Sequence, residues 1–277
     1  MRAPPRAMPA TVVPILLYHS IAARPSALIR PFSVTPDVFG RHLDCILELG
    51  FSALTVSDLV VAMNGCGALP ERPIVITFDD GFVDFDEHAL PALRRRRLVS
   101  TLYVTTGFLE GRRDRPPVRG FGDRMLAWSQ LGPLREQGVE LGAHSHTHPH
   151  LDTLGRRQVR DELTRSKALL EHELGTEVPS FAYPNGYSSP MVRRLVREAG
   201  YTSACSVKEG LATTRHEVFS LPRLMVRAET SPTELRNWIT GVNRPVAPER
   251  ERLRTRLWRL HRRARALATG RPGSDIP

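Results

Sequence analysis

Short apolar runs rich in β-formers alternate with amphipathic stretches along most of the chain. The runs fall at residues 12–17, 52–55, 74–78, 100–104, 139–143, 180–183, 202–205 and 221–226. Several are continuously apolar, the pattern of strands covered on both faces. The stretches between them carry helix punctuation. Thr35-Pro36-Asp37 supplies a cap, a proline at the first helical position and an acid in the first turn, and Gly50 ends that segment. From about residue 155 to 174, Leu163, Leu169, Leu170 and Leu174 share an apolar face before Gly175; residues 188–199, closed by Gly200, make a third such unit. Seven or eight strand-helix units predict an α/β fold, a (β/α) barrel or barrel-like open sheet of parallel strands. In such a fold chemistry belongs at the carboxyl ends of the strands.

Two regions depart from this rhythm. Residues 111–122 (GRRDRPPVRGFG) form a turn-rich basic loop, expected as a rim of the site. After Asn243, Pro245 and Pro248 mark a linker, and residues 249–268 read as an Arg-rich helix with Leu253, Leu257, Trp258, Leu260 and Leu267 spaced for an amphipathic face. The expected organisation is a flexible N-terminus at 1–11, one catalytic domain at 12–242, and a basic helical tail at 243–277 appended to it.

Composition narrows the classes. With 41% hydrophobic and 25% charged residues, the chain is neither disordered, collagen-like nor a disulfide scaffold. Cys45, Cys66 and Cys205 are too few and too scattered for a thiolate zinc site, and read as small buried apolar residues. The first apolar run is broken by Pro14 and falls far short of the ~20 residues that span a bilayer. It follows Arg2 and Arg6, but no small-residue cleavage site comes after it, so it reads as a first strand, with a cytoplasmic location as the default. The net charge of +10 is concentrated in the tail, from Arg250 to Arg265. No aromatic interleaving or nucleic-acid-binding module accompanies it, so nucleic acid is not an expected partner. A solvated helix, or one touching an anionic membrane or a partner protein, is.

Three strand ends carry candidate chemistry. Thr77-Phe78-Asp79-Asp80-Gly81 follows the run 74–78. Adjacent carboxylates there point in different directions, so one can bind a metal while the other takes a proton. Gly142-Ala143-His144-Ser145-His146-Thr147-His148-Pro149-His150 follows the run 139–143. Histidines four apart can present nitrogens to one point, and both His144/His148 and His146/His150 have that spacing. One Asp with two His makes a triad with open coordination positions, which is a catalytic arrangement. The third is Phe181-Ala182-Tyr183-Pro184-Asn185-Gly186, a turn that can aim a backbone N–H into a cleft.

In this order the three motifs resemble the polysaccharide deacetylase family, carbohydrate esterase family four, in the branch with a Phe-Ala-Tyr-Pro-x-Gly turn. Ile15-Leu16-Leu17-Tyr18-His19 and Leu221-Pro222-Arg223-Leu224 are similar to that branch too, so the resemblance runs from about Val12 to Trp238. It implies a distorted (β/α)7-8 barrel, Asp79 as general base, Asp80, His144 and His148 as metal ligands, and the Asn185 N–H in an oxyanion hole. His146 and His150 then become supporting or surface residues. Two positions differ from the family pattern. Ala182 stands where many members carry an arginine that positions the base, and Arg223 is the candidate substitute. No Leu-x-His motif supplies the general acid, for which His216, His19 and His144 are the alternatives.

The activity so implied is removal of acetyl groups from N-acetylated sugars of a poly- or oligosaccharide, or of a glycan precursor. The cofactor is a divalent metal, zinc first, with Co2+, Ni2+ or Mn2+ as alternatives. Competing readings are hydrolysis of another C–N or ester bond on the same fold, such as O-acetyl xylan or a small amide, and a non-enzymatic glycan-binding protein.

Overall fold

The computed structural model describes residues 10–111, 122–249 and 253–269. The N-terminal stretch expected to be flexible lies outside the described residues up to residue 9, as does the basic rim loop at 112–121.

Pro14 has no N–H to donate, and it splits the first apolar run into β1 (Val12–Val13) and β2 (Ile15–Tyr18). There follow α1 (Pro36–Glu48), β3 (Ser52–Leu54), α2 (Val56–Met63), β4 (Pro73–Phe78), α3 (Leu90–Arg95) and β5 (Ser100–Val104). The chain continues through α4 (Trp128–Glu136), β6 (Val139–Ala143), α5 (Arg156–Leu174), β7 (Ser180–Ala182), α6 (Pro190–Glu198) and β8 (Ser203–Cys205). It ends with β9 (Ala212–Thr213), β10 (Leu224–Met225), α7 (Pro232–Ile239) and α8 (Leu253–Thr269). The caps are local: the Thr35 side chain accepts from Val38 N at the start of α1, and Gly175 closes α5 at φ 62°.

The main sheet runs β10-β2-β4-β5-β6-β7-β8, all parallel, with β3 paired to the first half of β4. It curls until its ends meet. Leu221, just ahead of β10, bridges Cys205 of β8, donating to Ala204 O at 3.0 Å and accepting from Ser206 N at 2.8 Å. The result is a distorted barrel. Freed by Pro14, β1 leaves the main sheet and pairs antiparallel with β9, a short strand that the apolar pattern does not mark.

Strand alternation then decides which residues reach the barrel interior. In β4, Ile74, Ile76 and Phe78 join the apolar layer beneath the helices with Phe39, Leu43 and Ile46 of α1, while Val75 joins the inner cluster. Thr77 and Asp79 continue the Val75 face. In β6, Leu141 and Ala143 pack outward, so Gly142 and His144 take the inward positions. In β2, Leu16 and Tyr18 pack outward and Ile15 inward, which puts Leu17 and His19 on the inner face.

One cysteine differs from expectation. Cys45 and Cys205 are buried, but Cys66 is exposed, because it sits in the turn after α2 with φ-positive Gly65 before it and no strand or helix covering it. Among the described residues no helix is long and apolar enough to cross a membrane.

Candidate active site

His19, Asp79, His144 and His148 line one cavity of about 290 Å³ at the carboxyl ends of β2, β4 and β6. The backbone at these ends is held away from regular strand geometry, with φ values of 73° at Asp80, 65° at Ser145, 58° at His148 and 57° at Asn185. Positive φ is costly for residues with a Cβ, and such positions concentrate at functional sites. Of these residues His148 and Asn185 line the cavity, and Asp80 directly follows Asp79, which also lines it.

Asp80, His144 and His148 each offer a ligand atom within 4.8 Å of the others, all buried. Both Asp80 carboxylate oxygens are buried without a hydrogen-bond partner. His148 Nε2 stands 3.4 Å and His144 Nε2 3.7 Å from Asp80 Oδ1. Two ligands of one small ion at ~2.1 Å leave about that gap between them. His144 Nδ1–H donates to Ala182 O at 2.9 Å, which fixes the tautomer and leaves the Nε2 lone pair facing Asp80. Burial pushes the His144 pKa down to about 3 and that of His148 well below its ordinary range, so both rings are neutral donors. Burial and then the neighbouring Asp79 charge push the Asp80 pKa well up. An anionic Asp80 therefore requires a cation, and the donor set fits a divalent metal.

Asp79 is held differently. Arg223 Nη1 and Nη2 each donate to one of its oxygens at 2.7 Å, and Nη1 also donates to Thr77 Oγ1 at 3.1 Å. Arg223 is wholly buried and sits over the Tyr103 ring at 5.6 Å. Burial opposes its charge, but the Asp79 carboxylate outweighs burial and holds the guanidinium pKa above its ordinary value. The fork matches both oxygens at once, which a lysine cannot do.

The other histidines separate by their contacts. His146 Nδ1 lies 2.9 Å from Thr106 Oγ1. His216 accepts from Thr213 N at 2.9 Å and donates to Ala247 O at 3.0 Å, so both ring nitrogens are committed to loop structure. His19 lines the cavity with Nδ1 buried and without a hydrogen-bond partner. Burial pushes its pKa down to about 3, against the pull of Asp79. Asn185 lines the same cavity from the turn after β7.

Two features have no clear mark in the sequence. Glu162, in the second turn of α5, accepts from the His146 and Thr147 N–H groups at 2.7 and 2.8 Å and from Thr147 Oγ1 at 2.6 Å, tying down the loop that carries His148. Helix α8, expected as an appendage, lies against the site. Its Arg262 donates to Asp152 at 3.0 and 2.6 Å and to His150 Nδ1 at 2.9 Å, and covers the Tyr187 ring at 3.6 Å. Docking is through Arg262, whereas Leu260 of the predicted apolar face is 61% exposed. Apolar spacing could not reveal this, because the anchor is a buried ion pair.

A parallel barrel with a buried Asp/His/His donor set and a clamped second carboxylate defines a metal-dependent hydrolase type of site. Residues 67–204 match the family model described as polysaccharide deacetylase, and the chain belongs to that family. Among relatives, Bacillus subtilis YxkH, provisionally named a polysaccharide deacetylase, is 23% identical over 214 residues, covering 77% of this chain and 71% of YxkH. The poly-β-1,6-N-acetyl-D-glucosamine N-deacetylase of Escherichia coli K12 is 21% identical over 247 residues, covering 77% of this chain but 36% of that enzyme. The chain thus spans about a third of the E. coli relative. The fold is similar to the Streptococcus pyogenes deacetylase PplD, solved in complex with acetate, at a TM-score of 0.74 and 24% identity, covering 83% of this chain and 99% of PplD.

Proposed function

We propose that this protein is a metal-dependent N-deacetylase acting on N-acetylated sugars of a poly- or oligosaccharide, or of a glycan precursor. One observation carries the reading: the buried Asp80/His144/His148 donor set presents His144 and His148 to the same cavity as an Asp79 carboxylate clamped by Arg223. Asp80, His144 and His148 would hold a divalent ion, which would supply Lewis acidity toward the acetamide oxygen and the attacking water. Zinc is the first choice for this mixed N/O set, with Co2+, Ni2+ and Mn2+ as alternatives.

Asp79 is assigned the general base. Arg223 occupies one lone-pair direction on each carboxylate oxygen, and the remaining directions are available to take a proton from the attacking water. Arg223 acts through Asp79, holding its carboxylate in place with two hydrogen bonds. The Asn185 N–H is assigned to the developing oxyanion, with its position in the cavity and its φ of 57° as support. For the proton donor, His19 is favoured over His216, whose nitrogens are both committed. With a pKa near 3 its ring is neutral at rest, so in this role it relays to the leaving amine the proton that Asp79 takes from the water. The exposed Arg263 and Leu260 support a peripheral membrane or partner contact for α8.

The test is acetate release from β-1,4- and β-1,6-linked N-acetylglucosamine oligomers and from O-acetylated xylan, with zinc-loaded protein. Release from the N-acetyl set alone supports the reading, and release from xylan alone transfers the site to ester hydrolysis. Asp79→Asn is expected to lose several orders of magnitude in turnover while keeping its metal, and Asp80→Ala to lose the metal, read by elemental analysis; full activity in either overturns the assignments.

A further inference from the structure

Helix α8 does more than cover a flank of the barrel. Trp258 sits one turn before Arg262 and lines the same cavity as His19, Asp79, His144 and His148. It remains 47% exposed, stacked on His261 at 5.3 Å between rings. The helix is anchored independently of it: Arg262 is bidentate on the buried Asp152, and Arg259 Nε lies 3.6 Å from the same carboxylate. The indole is therefore not needed for docking. It presents a half-exposed aromatic face at the mouth of the site.

A second cavity of about 360 Å³ lies beneath the same helix, lined by Thr255 and Arg259. Both cavities have Gly186, Tyr187, Val207 and Glu209 in their walls, so they adjoin. Residues 255, 258, 259 and 262 follow the spacing of one helical face. One face of α8 thus walls both cavities.

On the basis of the deacetylase reading, we infer that α8 is a wall of the substrate cleft and that Trp258 is the platform on which a sugar ring of the glycan rests. A pyranose has one face of C–H groups and a rim of hydroxyls. A flat indole matches that face at small cost in side-chain freedom, and Asn185, Glu209 and Arg227, which line the same cavity, offer partners for the hydroxyls. The platform selects N-acetylated oligosaccharides over small acetyl compounds, which reach the metal set without it.

The experiment compares zinc-loaded full-length wild type, Trp258→Ala and Trp258→Phe on tetra-N-acetylchitotetraose and on 4-nitrophenyl acetate. In Trp258→Ala the ratio of kcat/KM on the oligosaccharide to that on the ester is expected to fall about tenfold, mainly through KM, and Trp258→Phe is expected to recover most of it. Asp152→Ala, which releases the Arg262 anchor, is expected to lower the same ratio. An unchanged ratio in Trp258→Ala overturns the inference. Wild type that cleaves the ester but no oligosaccharide overturns the deacetylase reading instead; calorimetric titration of tetra-N-acetylchitotetraose then decides on Trp258 without turnover. Weaker binding in Trp258→Ala upholds the platform, whereas equal binding, or none in wild type, removes it.

Discussion

Replacing Arg223 by methionine removes a wholly buried guanidinium that makes two 2.7 Å bonds to Asp79 and one of 3.1 Å to Thr77 Oγ1. Methionine fills much of the volume but offers no donor, so the Asp79 carboxylate stays buried without its counter-charge. Breaking a buried pair in this one-sided way costs about 3–5 kcal/mol. At roughly 2–4 °C per kcal/mol for a chain of this size, the melting temperature of the metal-free protein should fall by roughly 6–20 °C. Turnover should fall as well, because the base loses the fork that orients it. Arg223→Lys keeps the charge but grips the carboxylate at one point, and should recover stability better than turnover. The decisive protein is the double variant Arg223→Met/Asp79→Asn. If Arg223 acts through Asp79, the double variant is no slower than Asp79→Asn alone, and the two stability losses are far from additive. Thermal melts and initial rates of acetate release on the four proteins measure both. Arg223→Met with a melting temperature within about 2 °C of wild type and full turnover would refute the reasoning, as would simple additivity in the double variant.

Three further outcomes follow from the same geometry. Glu162→Ala releases the two N–H groups and the hydroxyl that tie down the His148 loop, so zinc affinity should drop about 10–100-fold by competition titration, with Glu162→Gln in between; equal affinity would show that the loop holds itself. Burial pushes the His42 pKa down to about 4, with its ring accepting from the Tyr18 hydroxyl and donating to Thr230 O. The unfolded imidazole takes its proton first, so this stability is present above pH ~6.5 and lost as pH falls through ~4. It is worth about 3 kcal/mol, and urea denaturation of His42→Gln at pH 7 and 4.5 should show a shallower acid decline than wild type. Gly142→Ala would place a Cβ 2.5 Å from Tyr103 Cε1 and 2.8 Å from Ser180 Oγ, two residues before His144. It should destabilise the protein by about 1–3 kcal/mol in the same denaturation assay.

Periodicity and punctuation alone determine the strand-helix alternation, the parallel barrel and the strand ends where Asp79, Asp80, His144 and His148 gather, because the two-residue repeat of a strand and the caps of a helix are local properties. The resemblance to the deacetylase family, not periodicity, marks Arg223 as a candidate, and it does not give the reach of that side chain. That side chain meets Asp79 across 144 positions in sequence only because the curled sheet sets β10 beside β2 and β2 beside β4. Spacing likewise leaves two histidine pairs open, and tertiary structure separates them: His144 and His148 face Asp80, while His150 meets Arg262. The docking of α8 is the part least legible in the sequence. An arginine-rich helix reads as a solvated one, and whether Arg262 meets water or the buried Asp152 depends on where the fold has put that carboxylate.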